Sequence, residues 1–320
     1  MFLHFGLPRT ASTTLQHNIF TELEDHVFVC APYTQEHAAF NKLQYADDIL
    51  FNQEELAGEV ARIEKRCPDK GILISDENFF GAPNANFMNR TRIAERLAAI
   101  RPDAELVIFI RDQRSLIRSL YSQFVKSGSY SKAIGRDFIS SPGGGLSWQR
   151  YTSVPPKWTR ELRYIDYQSW MSVEHFFYDE ILAFYKALFA QVHVILYEDF
   201  SDNPRKVLSR LEGIFGAKFS ERAYGSLDHP SKNASLSSRE LYATALGNRM
   251  RPVFPRALEV VPRKLSEVAA FLRGGDYEQS IDQYLSLLVS DQELTRKNII
   301  ANETHALGME RFPEQYFPAM

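Results

Sequence analysis

The chain has 320 residues, 44% apolar and 24% charged, with a net charge of −3. This is an ordinary globular composition, long enough to bury a core without disulfide or metal staples. It excludes disorder and collagen-like repeats, and no apolar run approaches the roughly 20 residues of a membrane-spanning helix. Two cysteines, Cys30 and Cys67, are too few for a framework and read as unpaired thiols of a reducing compartment. Met1 is followed at once by the strand-like FLHFGL with no basic leader, so a cytoplasmic protein is expected. No global basic field is available for nucleic acid. Charge is nevertheless uneven: from Arg111 to Arg163, ten Lys/Arg stand against three acidic residues, a local +7 that leaves −10 elsewhere. Such a stretch is either a solvated face or a site for a strongly anionic ligand.

Five short apolar runs read as buried parallel strands: Phe2–Leu7, Val27–Cys30, Gly71–Ser75, Leu106–Ile110 and Val192–Tyr197. Helical periodicity lies between them. Thr13–Leu23 follows the first run, Glu54–Arg66 precedes the third, Arg90–Ile100 links the third and fourth, and Ser115–Lys126 follows the fourth. Residues 127–163 break the pattern with Gly128, Pro142, the triplet Gly143–Gly145 and many serines. They form an irregular insertion, expected to cover a site. Helices return at Val173–Phe189 and Pro204–Phe215 and through much of 217–320. The expected fold is one three-layer, P-loop-like α/β domain over 1–320. Its central parallel sheet has about five strands, with helices on both faces and a helical C-terminal part. In such sheets ligands bind at the C-terminal strand edge, so the residues just after each run carry the function.

The first run enters Gly6-Leu7-Pro8-Arg9-Thr10-Ala11-Ser12-Thr13-Thr14. A strand, a tight turn, one cation and a hydroxyl-rich helix start make a phosphate cradle from backbone N–H groups and the positive end of the helix. Arg9 adds a charge-assisted contact, and the hydroxyls of Thr10, Ser12, Thr13 and Thr14 add donors. The Gly-Lys of a Walker loop is absent, which disfavours an ordinary ATP- or GTP-hydrolysing enzyme. The fourth run ends at Arg111, on the ligand edge, and Ser119 follows eight residues later. The third ends in Asp76-Glu77, where a carboxylate can reach a substrate hydroxyl. His4 lies inside the first run and reads as a packed core residue. No His/Cys/Asp/Glu spacing suggests a metal.

Together these pieces resemble the sulfotransferases that use 3′-phosphoadenosine 5′-phosphosulfate (PAPS). Pro8–Thr13 match that family's 5′-phosphosulfate loop except that Ala11 stands where glycine is usual. Arg111, Ser119 and Tyr121 match its 3′-phosphate motif, and Tyr197-Glu198-Asp199-Phe200 with Asn203-Pro204 is similar to a further segment. The resemblance spans Phe2 to about Gly216. It implies that residues 9–14, Arg111 and Ser119 bind PAPS, that Tyr197 contacts the adenine, and that Glu77 is the catalytic base, with Asp76 as rival. Packing in the core is the competing reading for Tyr197. Arg9 is implied to act in catalysis as well as binding. Lys232 is a candidate for a third 3′-phosphate contact. Arg at position 9 also resembles the carbohydrate-modifying members, so a carbohydrate or glycoconjugate hydroxyl, or else an amine, is the implied acceptor. No metal is implied. Ala11 has either a negative φ or a mildly strained one. The alternatives are a nucleotide or small-molecule kinase, and a non-catalytic protein binding a nucleotide or polysaccharide.

Overall fold

The computed structural model describes residues 1–24, 27–83, 87–130, 138–140, 171–227 and 237–250, with 279, 281 and 283–285. Its centre is a five-stranded parallel sheet. In chain order the strands are β1 (Phe2–Gly6), β2 (Val27–Cys30), β3 (Gly71–Asp76), β4 (Glu105–Ile110) and, after the short β5 (Ile139–Ser140) and β6 (Met171–Ser172), β7 (Gln191–Leu196). The spatial order is β2-β3-β1-β4-β7. Phe5 pairs with Asp76, Gly6 with Phe109, and Ile110 with Leu196, so the C-terminal ends are nearly level. From β1 the chain leaves toward β2, on one side of the sheet. From its neighbour β4 it leaves toward β7, on the other. That divergence opens a cleft between two adjacent strand ends.

Helices cover both faces. Leu3, Phe5, Ile72, Ile74, Ile108 and Ile110 point to one side. There they meet Leu56, Val60 and Ile63 of α3 (Gln53–Arg66) and Ile93 and Leu97 of α4 (Arg90–Ile100). The same layer holds Leu116 and Leu120 of α5 (Gln113–Lys126) and Ile181 and Tyr185 of α6 (Tyr178–Leu188). Leu73, Val107, Phe109 and Ile195 point the other way, onto Leu15, Ile19 and Phe20 and onto Leu208, Leu211 and Phe215 of α8 (Pro204–Phe215). Each such large side chain, taken wholly out of water, favours the fold by about 1.5–3 kcal/mol. The α/β class and five-stranded sheet expected from the apolar runs are therefore as found.

Local details differ. The expected helix over 13–23 is composite: α1 (Ser12–Thr14) passes into a π-helical turn, Leu15–Ile19, and a 3-10 turn, Phe20–Glu22. The expected helix over 173–189 is a 3-10 turn, Val173–Phe176, followed by α6. Short helices also occur at α2 (Asn41–Tyr45), α7 (Tyr197–Asp202) and α9 (Glu221–Ser226). Within the expected irregular insertion, Ile139–Ser140 pairs in parallel with Met171–Ser172, and Phe138 packs edge-on against Tyr121 and Tyr130. The remainder of that segment, 131–137 and 141–163, lies outside the described residues. From the expected helical C-terminal part, α9 and α10 (Ser238–Met250) are described. Asn248 of α10 donates to the carbonyls of Val125 and Tyr130, tying α10 to the end of α5.

Candidate active site

The loop after β1 is built from tight turns and a close approach. Thr10 donates its N–H to the Leu7 carbonyl at 3.2 Å and its hydroxyl to the same oxygen at 2.6 Å. Arg9 and Ala11 both have left-handed backbones, with φ of 72° and 66°. Of the two conformations considered for Ala11, the strained one occurs, at about 1–2 kcal/mol for a residue with a Cβ. Gly6 has the opposite need. A Cβ there would stand 2.8 Å from Ser12 Cβ, so only glycine lets the strand pass under the helix start.

This geometry corrects one expectation. The Thr10 hydroxyl does not add a donor for a ligand, because the turn consumes it; Thr10 is fully buried. Ser12 also points elsewhere, donating to Glu77 Oε2 at 2.5 Å. The backbone N–H groups of Ser12, Thr13 and Thr14 remain as first-turn donors, since a helix start has no intrahelical acceptors for them.

Two guanidiniums come together above this loop. Arg111, just past β4, donates from Nη1 to the Arg9 carbonyl and from Nε to Ser115 Oγ, both at 2.9 Å. Arg9 donates from Nε to Ser119 Oγ at 2.9 Å. Asp112 caps α5 by accepting from the Ser115 N–H at 2.8 Å, which carries Ser115 and Ser119 to these positions on one helix face. Tyr197, at the end of β7, lies with its ring 4.3 Å under the Arg111 guanidinium. Burial, and then the neighbouring Arg111 cation, lower the pKa of Arg9 from its ordinary value; Tyr197 and Glu77 oppose that shift. Arg9, Glu77, Arg111 and Tyr197, from four separate strand ends, and Ser119 from α5 therefore converge. Lys232 lies outside the described residues.

The two carboxylates after β3 have separate surroundings. Asp76 is buried. Its Oδ1 caps the 3-10 turn Glu77–Phe80 through the Asn78 N–H at 2.8 Å. Its Oδ2 accepts from Gln44 at 2.7 Å and lies 3.1 Å from His37 Nε2. Glu77 stands on the other side, against the loop. His4 is fully buried, as expected of a core residue, and that burial pushes its pKa down to about 3.

Some supporting residues carry no sequence signal of their own. Tyr178 donates its hydroxyl to the Arg111 carbonyl and receives the Arg111 N–H, pinning the end of β4 from α6. Glu198, by contrast, belongs to the Tyr197–Phe200 segment noted in the sequence, and it accepts from the Asp112 N–H at 3.1 Å. Ser115 was findable, because it lies one helical turn from Arg111. Among the described residues no group of His, Cys, Asp and Glu is arranged to hold a metal ion, and no helix is long and apolar enough to cross a membrane.

No family model matches the sequence, and no curated protein is similar to it. Among solved structures, the fold is similar to that of a sulfotransferase from Alicyclobacillus acidocaldarius, at 16% identity and a TM-score of 0.43. That likeness covers 83% of this chain and 94% of the other.

Proposed function

We propose that the protein is a PAPS-dependent sulfotransferase. It moves a sulfuryl group to an acceptor hydroxyl, of a carbohydrate or glycoconjugate by the character of Arg9. The observation that supports this most is the meeting of Arg9 and Arg111 at the switch between β1 and β4, beside a carboxylate hydrogen-bonded across the phosphate loop. Two cations above one helix start suit a ligand with anionic groups at both ends of a nucleoside.

In this reading, Arg111 and Ser119 hold the 3′-phosphate, Tyr197 packs on the adenine, and the N–H groups of residues 12–14 hold the 5′-phosphosulfate. Glu77 takes the proton of the acceptor hydroxyl as its oxygen attacks sulfur. The bond from sulfur to the bridging phosphate oxygen breaks, and adenosine 3′,5′-bisphosphate leaves. Arg9 and the loop N–H groups take up the charge that builds on that oxygen. Ser12, held to Glu77, keeps the base beside the loop.

The experiment is transfer from 35S-labelled PAPS to a panel of sugars, glycolipids, phenols and amines. Label is expected in a sugar-containing product. Incorporation only into phenols or amines would overturn the acceptor assignment. Phosphoryl transfer from labelled ATP, with none from PAPS, would favour a kinase.

A further inference from the structure

Three buried polar side chains lie directly beneath the loop: His4 on β1, Ser75 on β3 and Gln16 one helical turn after Ser12. His4 and Ser75 are fully buried and Gln16 nearly so. His4 Nδ1 is 2.8 Å from Ser75 Oγ, and Gln16 Nε2 donates to the same oxygen at 3.1 Å. The loop does not need them to close its turns. In a core otherwise filled by Leu15, Phe20, Leu73 and Phe109, three polar groups carry a desolvation cost that apolar residues would avoid.

Their spacing indicates what they do. Ser75 lies on β3 and Glu77 just past it, and the extended backbone of Asp76 carries the alternation of the strand on to Glu77, so both face the loop helix. Ser12 and Gln16 share one face of the helix that follows the loop. Ser12 in the first turn and Gln16 in the π-helical turn both reach β3, one at its tip and one a step below. Ser12 to Glu77 is the upper rung and Gln16 to Ser75 the lower one. A slide of this segment by one residue along β3 would break both. His4 locks the lower rung. Its ring stands edge-on between Phe20 and Phe109, with centroids 5.1 and 5.5 Å away. A hydroxyl can donate or accept, so either neutral tautomer keeps the bond to Ser75.

We propose that His4, Ser75 and Gln16 are positioning residues that fix the height of the phosphate-loop helix against β3. They thereby set the separation between the loop N–H groups and the Glu77 carboxylate. What the loop and Glu77 act on rests on the sulfotransferase reading; the positioning itself does not.

The test uses the full chain with His4→Leu, His4→Asn, Ser75→Ala and Gln16→Met. Calorimetry with adenosine 3′,5′-bisphosphate gives affinity, and amide hydrogen exchange of residues 9–16 without ligand gives loop order. Loss of the lower rung in Ser75→Ala or Gln16→Met, or of its lock in His4→Leu, is expected to weaken binding about 5–10-fold and to speed exchange about 10-fold. Asn can place a polar atom where His4 Nδ1 stands, so His4→Asn is expected to stay within about twofold of the unmodified protein. Lower thermal stability in the three disruptive variants, with affinity and loop exchange unchanged, would overturn the proposal, because that is all core packing alone would produce. Should Ser75→Ala fail to fold, Gln16→Met removes one rung with volume kept, and the same outcomes decide. If the unmodified protein does not bind the nucleotide, the sulfotransferase reading fails, while loop exchange still decides the positioning claim.

Discussion

At the end of β3, two neighbouring carboxylates point to opposite sides of the sheet. Asp76 is buried among His37, Gln44 and the N–H of Asn78, whereas Glu77 lies across from Ser12. Substitution is expected to separate them. Glu77→Gln keeps shape and removes the base, and should cost roughly 10²–10⁴ in single-turnover sulfuryl transfer with little change in nucleotide affinity. Asp76→Asn converts acceptors into a mixed amide and leaves buried partners mismatched. Its expected effect is a loss of about 1–3 kcal/mol in urea denaturation, with milder loss of turnover. A dead Asp76→Asn beside an active Glu77→Gln would reverse the assignment. Ala11 allows a second check at this scale. Its left-handed backbone suits glycine, and glycine's greater freedom in the unfolded chain offsets part of the relief. Ala11→Gly is expected to stabilise the protein by about 0.5–1 kcal/mol in the same denaturation experiment. A destabilised variant would contradict the strain.

Among elements, the strand ends decide where function sits, and apolar runs make strands the easiest elements to read. Phe2–Gly6, Val27–Cys30 and Glu105–Ile110 lie within a residue of their expected bounds, because buried parallel strands are continuous apolar stretches. The positions of Arg9, Arg111 and Glu77 just beyond such runs, and of Tyr197 closing one, were legible for the same reason, whereas their roles come from the resemblance. The π turn at Leu15–Ile19 was not, since its apolar spacing also fits an α-helix. Nor was Tyr178, whose role depends on α6 folding back over β4, a long-range contact that leaves no local pattern. The hydroxyl of Thr10 was misjudged because composition counts donors and only geometry shows which ones the turn has already used. At Gly6, β1 passes close under the start of α1. Gly6→Ala would drive a methyl into Ser12 and displace the rung to Glu77. It is expected to weaken adenosine 3′,5′-bisphosphate binding by at least about 10-fold in calorimetry, more than a typical surface substitution. Unchanged affinity would show that the loop tolerates a shift.

For the whole molecule, buried histidines tie stability to pH. Burial holds His4 at about 3 and, with help from Arg90, His175 at about 4, both below their ordinary 6.5. The unfolded chain therefore binds protons below pH 6.5 that the fold does not accept until much lower pH. Stability contributed by these neutral rings is complete above 6.5 and is lost as pH falls from there toward 4 and then 3. His4 alone is expected to cost about 2 kcal/mol between pH 6.5 and pH 5. Urea midpoints of the unmodified protein and His4→Asn across that range check this. The unmodified protein should lose the more stability, and parallel curves would contradict it. Charge acts at the same scale. Arg9 and Arg111 meet at the cleft, so the binding of an anionic nucleotide there is expected to weaken as salt rises.

In the proposed reading, Arg111 and Ser119 select a nucleotide carrying a 3′-phosphate. Calorimetry with adenosine 3′,5′-bisphosphate, AMP and ATP tests it most directly. Two charge-assisted contacts at roughly 1.5–3 kcal/mol each predict binding of the bisphosphate at least about 100-fold tighter than AMP. Arg111→Ala combined with Ser119→Ala should abolish that preference. AMP or ATP bound as tightly as the bisphosphate by the unmodified protein would show that Arg111 and Ser119 read no 3′-phosphate.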